Sequence, residues 1–305
     1  MSDFVQSHSS ACDFSGSDSW VILSEIEQSI KNKIEAIGTP LKDWDIQINY
    51  GIKTGFNDAF IISTEKRNEI LENCQTEEER KRTADLIRPI LHGRDIKRYG
   101  YDWANLWLIA TFPARHYDIE KYPAVKEYLL SIGIEKLEQT GKTHVIHGET
   151  IKARKKTNNK WFETQDSISY WDDFNKPKIM YPNMTKFLPF YYDNRGFYQN
   201  DKSFMITGSK IAFLTAFLNS SLFKFCFIDN FPELQGGTRE LRKIFFDKIP
   251  ILIPNDDIEK HFKDLVDDIQ REFSTEKAIV IDKEIFTLYN LTKEEKEKIG
   301  YIEIK

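Results

Sequence analysis

The most apolar stretch of the chain runs from Ile211 to Ile228. A stretch of this length has to be surrounded by a protein core or by lipid. The polar residues Asn219, Ser220 and Ser221 and the cationic Lys224 interrupt it. These interruptions favour a buried helix, or two helices broken near Asn219, over a membrane span. Since 40% of all residues are hydrophobic and 13% are aromatic, the sequence predicts a folded protein with an extensive core.

Strand and helix patterns are interspersed along the chain. Apolar residues recur at three- and four-residue steps from Leu23 to Ile37, and Gly38 follows, so a helix is predicted there. Further helices are predicted at 65–82 and 122–132. Strands are predicted at 44–50, 59–62, 105–111, 177–181, 187–192, from 197, 204–207 and 249–253. This mixture predicts an α+β fold built on a mixed sheet.

Changes in composition predict three segments. Residues 1–19 are rich in serine and aperiodic, which is typical of a flexible lead-in or a cut linker. The mixed strand and helix pattern occupies 20–253. Residues 254–305 form a small helical extension, in which the apolar residues at 258, 262, 265, 266, 269 and 273 share one helical face and Asn255 or Asp256 is the N-cap. Two more helices are predicted, one from about Ile281 to Tyr289 and one from about Thr292.

The segment 153–171 is the strongest candidate for a binding site. A basic loop, Arg154–Lys160, combines cations with amides, and Trp161 and Phe162 follow it. Cations bind phosphates, and amide side chains match the edge of adenine. We therefore expect Arg154, Lys155, Lys156 and Lys160 to contact phosphates and Asn158 to reach a base, with Trp161 and Phe162 as core anchors. The alternative is a solvated charged loop.

Two further turns carry candidate nucleic-acid contacts. The glycine turn, residues 51–57, offers Lys53, Thr54 and Asn57 between two glycines that allow a ligand to approach the backbone. It lacks the GxxxxGK[ST] spacing of a nucleotide-binding loop. The arginine turn, residues 93–99, offers Arg94, Lys97 and Arg98. Arg94 and Asp95 also fit an internal ion pair.

Charge and cysteine content limit the class of protein. The net charge of −5 argues against indiscriminate binding of polyanions. If nucleic acid is the partner, the cations have to be gathered on one face. The three cysteines are far apart and lack CxxC spacing, which indicates a reducing compartment. The N-terminus has no apolar signal run. We expect a cytoplasmic protein without a membrane partner.

Other chemistries have weaker support. Asp85 with Asp95 and Lys97 fits the short carboxylate–lysine pattern of a metal-dependent nuclease, which arises often by chance in a chain that is 30% charged. His144 and His147 are spaced as HxxH, without further ligands nearby in the sequence. Gly-x-Ser-x-Gly is absent. We expect no metal site and no catalytic residue.

Several stretches in order resemble the TaqI-like C-terminal specificity domain of restriction–modification adenine methylases of the type IIG kind. The resemblance runs from about Trp20 to the C-terminus. It is carried by the residues GIKTGFNDAF at 51–60, LHGRDIKRY at 91–99, KWFE at 160–163, KPKIMY at 176–181, LNS at 218–220 and YNLTKEE at 289–295.

The resemblance implies a target-recognition half of a longer enzyme. Such a domain reads bases of double-stranded DNA in the major groove, while a separate module binds S-adenosylmethionine and methylates adenine N6. This chain has no [DNS]PP[YFW] tetrapeptide and no FxGxG-type cofactor turn, so the methyl donor is expected in a methylase module, in the same polypeptide or another chain, and no cofactor here. Whether the chain takes part in an enzyme activity stays open.

The resulting interpretation is a sequence-specific DNA recognition module. The alternative is a protein-docking module that reaches DNA only with a methylase subunit, and a stand-alone nuclease is the third hypothesis. The DNA sequence recognised, the oligomeric state and the division of loop residues between bases and phosphates do not follow from the sequence.

Overall fold

A computed structural model describes residues 23–146, 148–186 and 189–302. Its helices, α1 to α12 in chain order, span Glu25–Ile37, Asn57–Phe60, Thr64–Glu72, Glu77–Leu86, Pro123–Ile132, Ile134–Leu137, Ile211–Leu218, Ser221–Phe227, Lys243–Phe246, Asp256–Arg271, Thr275–Leu288 and Lys293–Ile299. Its strands, β1 to β16, span Thr39–Pro40, Ile46–Tyr50, Ile61–Ser63, Ile87–Leu91, Ile96–Lys97, Gly100–Tyr101, Leu106–Ile109, Thr143–Ile146, Glu149–Lys152, Lys178–Pro182, Met184–Thr185, Tyr191–Asp193, Tyr198–Gln199, Ser203–Gly208, Arg239–Glu240 and Pro250–Ile251.

The predicted α+β fold with a helical C-terminal region is confirmed. Residues 187 and 188 of the strand predicted at 187–192 lie outside the described residues, and the strand there begins at Tyr191. Two further differences have a local cause. The charged helix expected at 65–82 is two helices, α3 and α4, because Asn73 ends the first and the Thr76 hydroxyl caps the second. The strand expected at 59–62 is half helix, since Asn57–Phe60 forms the one-turn helix α2 before β3 begins.

The contacts divide the chain into two compact units. One unit comprises residues 47–211, and the other comprises residues up to 46 together with residues from 212 onward. The predicted domain limits at 20, 253 and 254 remain predictions. The predicted lead-in, 1–19, lies outside the described residues.

The unit 47–211 is built on two four-stranded sheets. One sheet has the strand order β12-β10-β14-β2, and β10 is antiparallel to both of its neighbours. The other has the order β13-β4-β7-β3, in which β13 and β4 are parallel and the remaining pairs antiparallel. A cluster of buried apolar side chains in this unit includes Phe60, Phe112 and Phe174. The mixed sheet confirms the predicted fold class.

A buried ion pair fixes the edge of the first sheet. Lys178 and Asp193 are both fully buried, and their side chains meet at 2.5 Å. Asp193 also accepts the backbone N–H groups of Arg195 and Phe197, each at 3.0 Å. A buried charge pair with all its partners in place is tolerated in a core, and here it closes the turn after β12.

The second unit is mainly helical. Helix α1 begins at a capping box of Ser24 and Glu27, and Asn255 caps α10 by accepting the N–H of Ile258 at 2.9 Å. Strand β1 pairs with β16. The Lys33 ammonium lies 2.6 Å from the Glu295 carboxylate, which joins α1 to α12.

The apolar stretch from Ile211 forms two helices, as the interruptions predicted. Helix α7 ends at Leu218, Ser220 caps α8, and the two helix axes are bent by 68°. Most of their residues are buried in the protein. Among residues 23–146, 148–186 and 189–302, no single helix is long and apolar enough to cross a membrane, and this bent pair satisfies that criterion by length and composition alone.

Candidate nucleic-acid interface

Arg154 begins the basic loop but is buried, with 4% of its surface exposed. Its guanidinium donates hydrogen bonds to four backbone carbonyls, those of Leu137 at 2.7 Å, Thr54 at 2.9 Å, Glu163 at 2.8 Å and Trp161 at 2.6 Å. A guanidinium carries five N–H donors in a rigid plane, which suits several acceptors at once. The prediction that Arg154 contacts phosphate is therefore wrong for this structure, because its donors are committed inside the protein.

Arg154 remains a cation in this environment. Burial lowers the pKa of its guanidinium to about 10, while the Glu163 carboxylate acts in the opposite direction. That pKa is still well above neutral. The guanidinium also lies over the Phe60 ring, 5.0 Å from its centroid, in the geometry of a cation–π contact. Arg154 thus anchors the basic loop to the core.

The glycine turn is joined to the segment that follows the basic loop. The N–H of Gln165 donates to the carbonyls of Lys53 and Thr54 at 3.2 Å, and the N–H of Asp166 donates to Lys53 at 3.3 Å. Gly55 has a φ of +80°, and a Cβ there would lie 3.0 Å from the Gln165 side chain. This position therefore needs glycine. Two segments about 100 residues apart form one surface.

Thr54 is an internal residue of the glycine turn. It is 1% exposed, its hydroxyl donates to Asn57 Oδ1 at 2.6 Å, and it accepts the N–H of Phe56 at 3.1 Å. The expectation that Thr54 contacts DNA through its hydroxyl is corrected, since that hydroxyl is committed to shaping the turn. The side chains of Lys53 and Asn57 are exposed on either side of it.

The remaining predicted residues of the basic loop face solvent. They are Lys155, Lys156, Asn158 and Lys160. The backbone beneath them is fixed, because Thr157 donates to the Gln139 carbonyl at 3.0 Å and the N–H of Lys160 donates to the Glu163 carboxylate at 2.7 Å. Phe162 is buried in the core and Trp161 packs against it, which confirms both as anchors. The basic loop therefore presents three lysines and one amide to solvent on a backbone that hydrogen bonds keep in place.

Two carboxyls, Asp166 and Asp201, lie near these lysines. Burial raises the pKa of Asp166 and Asp201 acts in the same direction, while Lys53 and Lys155 act to lower it. Lys53 and Lys155 therefore belong to a local cluster that contains charges of both signs.

The arginine turn is also exposed in part. The Arg94 side chain is 80% exposed and that of Lys97 is 51% exposed. Lys97 donates to the Arg94 carbonyl at 2.9 Å and lies 3.6 Å from Asp102. Arg98 is half-buried, with its guanidinium 5.5 Å from the centroid of the Tyr99 ring. Arg94 Nε lies 3.8 Å from the Asp95 carboxylate, which is the internal ion pair that the sequence left open. Arg94 and Lys97 are nevertheless exposed to solvent, whereas Arg98 packs on the protein.

A turn at residues 200–203 lies between the glycine turn and the arginine turn. The N–H of Asp201 donates to the Ile52 carbonyl at 3.0 Å, and the N–H of Asn200 donates to the Leu91 carbonyl at 3.2 Å. A Cβ at Gly93 would lie 2.6 Å from the Lys202 carbonyl oxygen. The Lys202 side chain is 70% exposed. Lys202 was not among the residues predicted from the sequence, although the Asn-Asp pair before it is typical of an exposed turn.

The three predicted segments are therefore neighbours in the fold. The Arg154 side chain joins the basic loop to the glycine turn, and the turn at 200–203 is bonded to Ile52 and to Leu91, which precedes the arginine turn. The basic surface is defined here by the exposed polar residues of these segments and of the connecting turn. Its members are Lys53, Asn57, Arg94, Lys97, Lys155, Lys156, Asn158, Lys160 and Lys202.

Of the residues in the nuclease pattern, Asp95 has a structural role. Asp95 is buried and accepts the N–H of His92 at 2.8 Å. His144 Nε2 lies 2.5 Å from Glu138 Oε1, and His147 lies outside the described residues. Within the part of the chain that the structure describes, no three His, Cys, Asp or Glu side chains are grouped to hold a metal ion.

Comparison with known proteins identifies a family and a fold. The family model of the TaqI-like C-terminal specificity domain matches residues 88–251, which is more than half of the 305 residues. This range contains the arginine turn, the basic loop and the turn at 200–203. No curated protein sequence matches the chain significantly.

Two solved structures have a similar fold. The type IIG restriction endonuclease BpuSI is 12% identical with a TM-score of 0.51, and the similarity covers 86% of this chain and 33% of that enzyme. The type IIL restriction-modification enzyme MmeI, solved in complex with DNA, is 13% identical with a TM-score of 0.50, covering 86% of this chain and 36% of that enzyme. The chain thus spans about a third of each enzyme, and the likeness concerns the fold.

Proposed function

The chain belongs to the TaqI-like C-terminal specificity domain family, and from this membership we propose that it is the DNA target-recognition module of a restriction–modification enzyme. Both structural neighbours described above are enzymes of this kind, and one of them was solved with DNA. The proposed ligand is double-stranded DNA.

The observation that carries the proposal is the basic loop held by Arg154. One arginine is withdrawn into the protein and bonds four carbonyls, while Lys155, Lys156 and Lys160 next to it are exposed. A backbone that is already ordered loses less conformational entropy on binding. Cations presented in this way suit the regular phosphate positions of a duplex. The acidic net charge elsewhere disfavours binding to polyanions over the whole surface.

We assign different roles to the lysines and the amides. The lysines of the basic surface neutralise phosphates and give affinity without sequence preference. Asn158 carries an exposed amide with an acceptor and a donor, which match the N6 and N7 positions of adenine. The Asn57 oxygen already accepts the Thr54 hydroxyl, which leaves the Asn57 N–H groups for a base or phosphate. Arg94, Lys97 and Lys202 extend the phosphate contacts beyond the glycine turn.

Methyl transfer is assigned to another module. The sequence lacks the catalytic tetrapeptide and the cofactor turn of adenine methylases, so we propose that S-adenosylmethionine binds to a methylase module in the same polypeptide or in a separate chain. The proposed reaction of the assembled enzyme is methylation of adenine N6, with or without DNA cleavage. The proposed location is the cytoplasm.

The experiment is a titration of the purified chain with a duplex at several salt concentrations. Contact with about four to six phosphates predicts a log–log slope of the binding constant of about −4 to −5. Binding by the chain alone supports the proposal. Binding that occurs only after a methylase subunit is added indicates the docking alternative. Metal-dependent cleavage by the chain alone, lost on changing Asp95 and Lys97, contradicts the proposal in favour of a nuclease.

A further inference from the structure

Strands β8 and β9 form a two-stranded antiparallel ribbon next to the basic loop. In its register Thr143 pairs with Lys152 and Val145 pairs with Thr150. Two more backbone hydrogen bonds lengthen it, from Ala153 to Lys142 at 2.9 Å and from Gly141 to Arg154 at 2.8 Å. The ribbon, defined here as residues 141–146 and 148–154, ends where the basic loop begins.

The base of the ribbon is attached to the core. A two-stranded ribbon alone is marginally stable in water. Here Arg154 at its end is bonded to four carbonyls, and Ala153 is buried. On one face His144 meets the Glu138 carboxylate at 2.5 Å. The same anchor that orders the basic loop therefore also sets the direction of the ribbon.

The two faces of the ribbon differ in exposure. Side chains alternate between the faces of a strand. One face carries the half-buried side chains of His144, Ile146 and Ile151, together with the exposed Glu149, which pairs with Ile146. The outward face consists of Thr143, Val145, Thr150 and Lys152, all of them exposed, and Val145 is 73% exposed. Val145 is the most exposed of the large apolar side chains in the described residues.

The outward face has the chemistry of a reader of base edges. Its residues supply a branched apolar group, two hydroxyls that both donate and accept, and one cation, without a carboxylate. Lysines lie at its base, since Lys142 precedes β8 and the backbone of Lys156 is in contact range of Gly141. The positive charge beside the ribbon complements phosphates that flank a groove.

We propose, building on the function proposed above, that the ribbon enters the major groove of the bound duplex and that its outward face reads bases there. A major groove about 12 Å wide accepts a two-stranded β-ribbon. Val145 meets the methyl group of thymine, the Thr150 hydroxyl bonds to an adjacent base edge, and Lys152 contacts guanine or a flanking phosphate.

The test exchanges two residues that face each other across the ribbon, Val145 and Thr150. In the double variant Val145→Thr with Thr150→Val, the apolar group and the hydroxyl swap strands. Volume, strand preference and charge of the outward face are unchanged. The matched control is Val280→Thr with Thr287→Val, an exchange of the same two residue types on helix α11, where both are exposed.

Random duplexes are selected with the wild-type chain and with both variants. The ribbon variant is expected to select a motif that differs at one or two base pairs, to bind the wild-type motif about 5- to 150-fold more weakly, and to keep its salt slope. The control is expected to select the wild-type motif. An unchanged motif with intact binding overturns the ribbon proposal and leaves the DNA-binding function standing. Failure of the wild-type chain to bind any duplex overturns both.

A second measurement changes the DNA and compares the wild-type chain with the Val145→Ala chain. Deoxyuridine replaces each thymine of the selected motif, which removes only the methyl group in the major groove. A loss of affinity at one thymine, absent in the Val145→Ala chain, supports the contact with Val145. Equal affinity of the wild-type chain for all substituted duplexes contradicts it.

Discussion

Arg154 Nη1 donates a 2.9 Å hydrogen bond to the carbonyl oxygen of Thr54, joining the basic loop to the glycine turn across 100 residues of sequence. The same side chain holds the carbonyls of Leu137, Trp161 and Glu163. A single buried cation therefore fixes the relative position of two segments and of the ribbon. The arrangement of the exposed lysines therefore depends on Arg154, which is buried and does not itself contact the ligand.

Replacing Arg154 by lysine is expected to lower the free energy of unfolding by about 2–4 kcal/mol, because an ammonium group cannot reach four carbonyls in one plane and leaves buried acceptors without donors. Urea denaturation measures this change. Lys155→Ala is the matched control, since the neighbouring side chain is exposed, and its expected effect is within about 0.5 kcal/mol. Equal stability of the two variants contradicts the anchoring role.

The double variant Lys155→Ala with Lys156→Ala is expected to weaken binding to all duplexes alike. Each lost phosphate contact reduces the steepness of the log–log salt dependence by about 0.9. Titrations at several salt concentrations measure the slope, and Lys293→Ala, an exposed lysine on α12, serves as the control. A change in base preference without a change in slope contradicts the assignment of these lysines to phosphates.

Asn158 and Asn159 form a natural pair for testing base readout. Asn158 is exposed, whereas the Asn159 amide donates to the carbonyls of Thr164 at 3.2 Å and Gln165 at 2.8 Å. Asn158→Ala is expected to relax the preference at one base pair by about 1–3 kcal/mol at unchanged stability. Asn159→Ala is expected to loosen the loop and weaken binding to every sequence. Selection from random duplexes distinguishes the two, and the reverse pattern contradicts the assignment.

Glu295 gives a pH-dependent prediction for the helical unit. Burial alone raises the pKa of this carboxyl, but the hydrogen bonds from Lys33, Thr292 and Ser29 hold its pKa below the usual value of 4.5. Its contribution to stability is therefore present above the unfolded pKa and is lost as the pH falls through the folded pKa.

The variant Glu295→Gln is expected to be less stable than the wild type by about 1–3 kcal/mol at neutral pH. The difference is expected to shrink as the pH falls below about 4, since the wild-type carboxyl then becomes neutral as well. Thermal unfolding of both chains across this pH range measures it. A difference that is constant with pH contradicts a contribution from the charged carboxylate.

Local patterns predicted most of the elements. The apolar repeat before Gly38 predicted α1, and the polar break at Asn219 and Ser220 predicted the division between α7 and α8. The prediction of a single helix at 65–82 was wrong, because the cap at Thr76 begins a second helix. Helix caps and polar interruptions depend on residues close together in the chain, so they can be predicted from the sequence. The interspersed patterns were also sufficient for the α+β class.

The interface was predicted only as separate segments. The sequence contains a run of cations from Arg154 to Lys160, but not the long-range contacts that bury Arg154 and expose Lys155. A sequence pattern does not reveal an arginine that donates to backbone carbonyls, because every residue carries the same carbonyl group. Lys202 was missed for a related reason. Its place beside Gly93 follows from strand pairing, which composition does not reveal.

The most direct test of DNA reading is a selection of random duplexes by the purified 305-residue chain at low salt. Sequence-specific recognition predicts that a short motif is enriched over successive rounds and that an unlabelled duplex carrying this motif competes better than a scrambled one. Recovery of DNA without an enriched motif, or no recovery at all, contradicts the claim that this chain reads DNA sequence on its own.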